Sequence, residues 1–65
     1  MRGEVTSFDD YVGLGEVVDG DGVAYLFHCA EIADGTRTID VGAPVEFDVR
    51  TKFGRAEAAR LRPAP

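Results

Sequence analysis

Sixty-five residues with a net charge of −5 and 45% hydrophobic side chains describe one small globular domain. A chain this short buries about 60% of its unfolded surface, so a net stability of about 3–5 kcal/mol is expected without staples. The acidic balance excludes a general attraction to phosphate, the single Cys29 excludes an internal disulfide, and no apolar run reaches the ~20 residues of a transmembrane helix.

Short β-branched or alternating runs recur between turn signals, which predicts an all-β fold. Glu4–Phe8 is the first strand, with Val5 and Ser7 on one face and Glu4, Thr6 and Phe8 on the other. Gly15–Asp19 is the second. Asp19-Gly20-Asp21-Gly22 supplies a turn, because Gly adopts positive φ and Asp caps its own backbone. Ala24–Cys29 is the third strand, placing Tyr25 and Phe27 on one face and Leu26 and His28 on the other. A slip of one residue would expose Tyr25 and Phe27 instead.

Glu31–Thr38 reads as a longer connection, with one helical turn near Ala30-Glu31-Ile32 and a bend at Asp34-Gly35. After Gly42 a fourth strand alternates Val45, Phe47 and Val49 against Glu46, Asp48 and Arg50, and Pro44 suits its first position. Phe53-Gly54-Arg55 forms a loop and Glu57–Leu61 a fifth strand, with a helix over Arg55–Arg62 as the competing reading because Ala56, Ala58 and Ala59 favour it. The domain is placed at residues 1–62, with Pro63-Ala64-Pro65 a frayed tail.

Charge is segregated. Residues 1–34 hold eight acidic groups against one basic, a net −7, whereas residues 35–65 hold six basic against four acidic, a net +2. Any nucleic-acid site must therefore be local.

Several patterns exclude chemistry. Asp19-Gly20-Asp21-Gly22 lacks the glutamate a calcium loop needs at its twelfth position, which is Ala30. Gly13-Leu14-Gly15 lacks the third glycine and following helix of a dinucleotide site. His28 and Cys29 have no further His or Cys to complete a zinc site, and neighbours on a strand point to opposite faces, so no base sits beside the thiol. No cofactor, metal or catalytic residue is expected, and the chain is read as a non-enzyme.

Five short strands in this order predict a five-stranded antiparallel Greek-key barrel of OB-fold type. The residues Gly3, Val5, Phe8, Gly13-x-Gly15, the Asp/Gly turn, His28, Ile32, Gly35-Thr36-Arg37-Thr38-Ile39, Gly42, Val45-x-Phe47-x-Val49 and Glu57-Ala58 together resemble the bacterial cold-shock domain family, from Gly3 to Leu61 with one small gap near Asp34. The resemblance implies binding of single-stranded RNA or DNA on one open face, with bases stacked on aromatics and phosphates met by edge cations.

Phe8 and His28 keep the family's residue type. The family's other stacking positions correspond here to Ser7, Leu14, Glu16, Leu26, Cys29 and Thr36, none aromatic. Positions where the family often carries lysine correspond to Glu4, Thr6 and Val12. Leu14 and Leu26 can press on a base without offering a π-face. Glu16 either solubilises a face that has lost its ligand or accepts a hydrogen bond from a base. Tyr11 and Phe53 serve either as stacking groups or, the favoured reading, as lids over the barrel ends. Arg37, Lys52 and Arg55 are assigned to loops beside the face, where they could meet phosphate, and Arg60 and Arg62 to solubility.

The resulting candidate nucleic-acid site is Phe8, Tyr11, Leu14, Leu26, His28, Arg37, Lys52 and Arg55. The expected function is weak, largely sequence-independent binding of single strands in an RNA-chaperone or expression-modulating role. The alternative is a protein-interaction module that keeps the barrel and offers the face of Leu14, Glu16, Leu26 and Cys29 to a protein partner. A lone cysteine, an N-terminus without a leader's apolar segment and the absence of a membrane span place the chain in the cytoplasm as an expectation.

Overall fold

The computed structural model describes residues 1–33 and 35–64. Five strands follow one another: β1 (Arg2–Asp9), β2 (Leu14–Asp19), β3 (Ala24–His28), β4 (Pro44–Lys52) and β5 (Arg55–Pro63). A single 3-10 turn, Cys29–Glu31, follows β3 where one helical turn is expected. Among the described residues no helix is long and apolar enough to cross a membrane.

The sheet closes on itself in the order β1-β2-β3-β5-β4, returning to β1. Strands β1–β2, β2–β3, β4–β5 and β1–β4 pair antiparallel, but β3 and β5 run parallel through Leu26 and Glu57. The expectation of a purely antiparallel sheet is thereby corrected. The physical reason is the connection after β3: it returns the chain alongside β1, so the β4–β5 hairpin brings its second strand back in the direction of β3.

Alternation builds the core. Val5, Val17, Phe27, Val45, Phe47 and Leu61 are almost wholly buried. Phe27 faces inward and Tyr25 tilts against Phe47 with ring centroids 5.4 Å apart, so the expected register of β3 holds. Gly15 is required by close packing, since a Cβ there would stand 2.5 Å from Phe27 Cζ and 2.7 Å from the Ser7 carbonyl oxygen.

Two bulges interrupt the alternation. In β1 the pairing passes from Val5–Val17 to Ser7–Glu16, leaving Thr6 as the extra residue. Ser7 therefore points outward rather than sharing the inner face with Val5, and Phe8 turns half-buried against Phe27. In β5 the pairing passes from Asp48–Ala59 to Glu46–Arg62, and Arg60 adopts the left-handed φ of 54°. This lets Ala58, Ala59 and Leu61 all be buried on a strand that otherwise alternates.

The helix alternative for Arg55–Arg62 is excluded, because pairing with β4 overrides alanine's local preference. Lys52 pairs with Arg55 across a two-residue turn in which Phe53 and Gly54 have φ of 51° and 76°. Positive φ at both positions is the geometry of a type I′ hairpin, whose twist matches that of the strands. Lys52 and Arg55 are thus strand residues, not loop residues as expected. The predicted tail is also partly paired: β5 runs through Pro63, and the Ala64 N–H donates to the Pro44 carbonyl at 3.1 Å. Pro65 and the Asp34 half of the expected bend lie outside the described residues.

The Asp19–Gly22 turn forms as its composition implies. Asp19 Oδ1 accepts from the N–H groups of Asp21 and Val23, each at 2.9 Å, and its Oδ2 accepts from the Tyr25 hydroxyl at 3.3 Å. The N–H of Val23, above all, holds the Asp19 carboxyl below its ordinary value, against the opposing effect of its burial.

Candidate nucleic-acid interface

The outward side chains of β2 and β3 meet in register, Leu14 opposite His28 and Glu16 opposite Leu26. Leu14 is 48% and Leu26 52% exposed, a large apolar exposure for so small a sheet. A bounded cleft opens where this surface meets the β4–β5 hairpin and the 3-10 turn. Its volume is about 410 Å³, and Leu14, Leu26 and His28 line it together with Glu31, Arg50, Lys52 and Glu57. A volume of this size falls within the range of ordinary ligand sites.

His28 is fixed by its neighbour. Its Nδ1 accepts from the Ala30 N–H at 3.2 Å and caps the 3-10 turn, which places the ring proton on Nε2. Cys29 begins that turn instead of ending β3, and its Sγ lies 3.9 Å from His28 Nδ1. The two side chains thus come within contact distance, although the thiol packs toward the core while His28 lines the outer face. Their proximity still makes no nucleophile–base pair, because the Nδ1 lone pair is occupied by Ala30 and the thiol packs against the core. Among the described residues no three side chains of metal-binding type stand together.

The charged rim is organised by Glu31. One oxygen accepts from the Arg60 N–H at 3.3 Å, satisfying an amide that the β5 bulge removes from the ladder, and the other pairs with Arg50 at 3.4 Å. That pair is largely exposed, so it contributes about 0.2–1 kcal/mol. Lys52 and Arg55 have no ion-pair partner among the described residues.

Four of the eight sequence-predicted residues come together here: Leu14, Leu26, His28 and Lys52. The other four do not line the cleft. Phe8 lies parallel to Phe27 with centroids 5.9 Å apart and is half-buried, packed against the edge of the core. Arg37 belongs to the connection before β4, at a left-handed φ of 60°, and Arg55 to the hairpin base. Tyr11 and Phe53 are 96% and 95% exposed, so neither is a lid. Tyr11 rides on a loop held by Asp9 Oδ1, which accepts from the Tyr11 and Val12 N–H groups at 3.0 and 3.1 Å.

The acidic spot also changes character. Thr6 Oγ1 donates to Glu16 Oε1 at 3.3 Å and contacts the Glu16 carbonyl at 3.2 Å, so the bulge residue tethers this carboxylate beside the cleft. Cys29 turns toward the core and leaves the face on which it was expected with Leu14, Glu16 and Leu26. Sequence reasoning missed Glu31, Arg50 and Glu57 as cleft residues. Arg50 and Glu57 were legible only as outward positions of their strands, and the Glu31–Arg50 contact spans 19 residues of chain. No protein-family model matches the chain, and the search of curated proteins returns no match either.

Proposed function

We propose that this chain is a cold-shock-type module with an OB-type Greek-key barrel, binding single-stranded RNA or DNA weakly and performing no chemistry on it. The observation that carries the reading is the cleft, where the apolar side chains of Leu14 and Leu26 and the His28 ring lie beside the cations Arg50 and Lys52. Apolar surface for base faces next to point charges for phosphates is what a single strand requires. The closed five-strand order with its β1–β4 pairing supports an OB-type reading, and the resemblance of the sequence to the cold-shock family points the same way. A lone cysteine suits the reducing cytoplasm.

With leucines in place of aromatics, affinity falls in the micromolar range or weaker at physiological salt. The test is fluorescence anisotropy of a labelled mixed-sequence single strand, titrated at low and at physiological salt. If Arg50 and Lys52 meet two phosphates, the logarithm of affinity falls against that of salt with a slope of about −1.4. His28→Ala and Lys52→Ala each weaken the complex. Nanomolar affinity, or binding indifferent to salt, contradicts this account of the face. A folded protein that binds no strand at low salt instead favours the alternative, a protein partner seated on Leu14, Glu16 and Leu26.

A further inference from the structure

We propose that the cleft selects guanine, with the Glu57 carboxylate accepting the N1–H and N2–H of the base while Lys52 and Arg50 hold the adjoining phosphates. The inference rests on the reading of the chain as a single-strand binder and adds a preferred base to it.

Glu57 is half-buried and stands opposite Leu26 at the point where β5 meets β3. Its side chain lines the cleft. The other cleft carboxylate, Glu31, is committed to Arg50 and the Arg60 amide. The Glu57 side chain, by contrast, makes no hydrogen bond or ion pair among the described residues, and Arg50 stands directly across the β4–β5 ladder from it. A partly desolvated carboxylate is an acceptor-only group with two oxygens side by side, and its natural complement is a pair of adjacent donors.

Among the bases only guanine presents that pair on its Watson–Crick edge, N1–H next to N2–H. Adenine and cytosine place a ring acceptor beside their single amino donor, and that acceptor would face a carboxylate oxygen. Thymine and uracil place N3–H between two carbonyls, which repel the carboxylate on either side. A lysine or arginine from a protein would also satisfy Glu57, but Arg50 and Lys52 line the same cleft and oppose a second cation. With two cations and the free Glu57 carboxylate in one cleft, the complement is a ligand that is anionic on one side and a donor on the other. A guanine nucleotide within a strand has that distribution, and Leu14 and Leu26 supply an apolar surface for the flat of its ring.

The experiment compares three labelled hexanucleotides by anisotropy: all thymidine, the same strand with one central guanine, and the same strand with inosine in that place. Inosine keeps N1–H and loses the N2 amino group. The guanine strand is expected to bind about 5- to 150-fold more tightly than the thymidine strand, the discrimination typical of one bidentate contact, and inosine to forfeit most of that gain. Glu57→Gln brings the guanine-to-thymidine ratio to within about twofold, because an amide offers a single acceptor. Circular dichroism of the variant checks that the sheet is intact, and the inosine comparison needs no variant at all. Equal binding of all three strands by the unaltered protein, or a guanine preference that survives Glu57→Gln, overturns the inference and leaves single-strand binding standing. Failure of every strand to bind at low salt overturns both. Glu57-dependent binding of a short arginine- or lysine-containing peptide, with no guanine preference, overturns it in favour of a protein partner.

Discussion

Replacing Phe53 by asparagine should stabilise the protein, although Phe53 is one of its largest apolar side chains. The position lies at the tip of the β4–β5 hairpin with φ of 51°, and Gly54 follows at 76°. A left-handed backbone costs an L-residue with a bulky side chain about 1–2 kcal/mol, and asparagine is among the few that enter it readily. Against this gain nothing is lost from packing, because the ring is 95% exposed. Asparagine followed by glycine is also the preferred pair for a type I′ turn. The net expectation is a gain of about 1 kcal/mol, which raises Tm by about 4–8 °C in a domain of this size. Thermal unfolding followed by circular dichroism, with a urea titration to show an unchanged m value, measures it. Two companions make the reasoning strict. Phe53→Ala keeps the strain and should stay within about 0.5 kcal/mol of the parent. Phe53→Gly releases the strain but enlarges the freedom of the unfolded chain, so it should gain less than asparagine. If asparagine stabilises nothing, or alanine costs more than about 1 kcal/mol, the ring is packed and the argument fails.

Gly15→Ala should cost about 2–3 kcal/mol, since the added methyl meets the buried Phe27 ring and the Ser7 carbonyl together and neither can retreat. A urea midpoint within error of the parent would contradict that. Stability should decline in acid below about pH 4, because the Asp19 carboxyl, held low chiefly by the Val23 N–H, stabilises the fold only while ionised. Asp19→Asn keeps the Oδ1 acceptor and should flatten the decline, as urea midpoints between about pH 2 and pH 5 will register; an unaltered acid limb rules Asp19 out as its source.

The strand pattern was open to sequence reading wherever alternation is unbroken. Tyr25 and Phe27 inside, Leu26 and His28 outside, and Val45 with Phe47 facing the core all follow from a period of two. The Asp19–Gly22 turn was equally plain, because its residues solve a local backbone problem. What the sequence concealed traces to the two bulges. An extra residue at Thr6 reverses the sense of everything after it in β1, so Ser7 and Phe8 exchange the roles that alternation assigns them. At Arg60 the freed amide selects Glu31, a partner 29 residues away, and Glu31 in turn brings Arg50 to the cleft rim. No local pattern announces such a chain of contacts. The exposed aromatics Tyr11 and Phe53 misled for a different reason. Apolar character usually signals burial, but loop tips are placed by their turns and not by their side chains.

The way the ring is sealed has a consequence for how it is made. Strands β1 to β3 form a meander over short loops, and β4 with β5 forms a hairpin over two residues, so each block assembles from neighbours in sequence. An isolated hairpin is marginal in water, and neither block covers its inner face alone. The topology therefore predicts that folding brings two half-shells together, with the closure of the connection at residues 29–43 contributing to the entropic cost of that step. The half-shells are oppositely charged, since residues 2–28 carry net −5 and residues 44–63 net +2. The ion pairs of Arg60 and Arg62 lie within the hairpin, and Arg50–Glu31 ties the hairpin to the turn that follows β3. If the lopsided charge of this chain draws the cationic hairpin onto the acidic meander, added salt should slow refolding measured by stopped-flow, and a refolding rate indifferent to salt would rule that out.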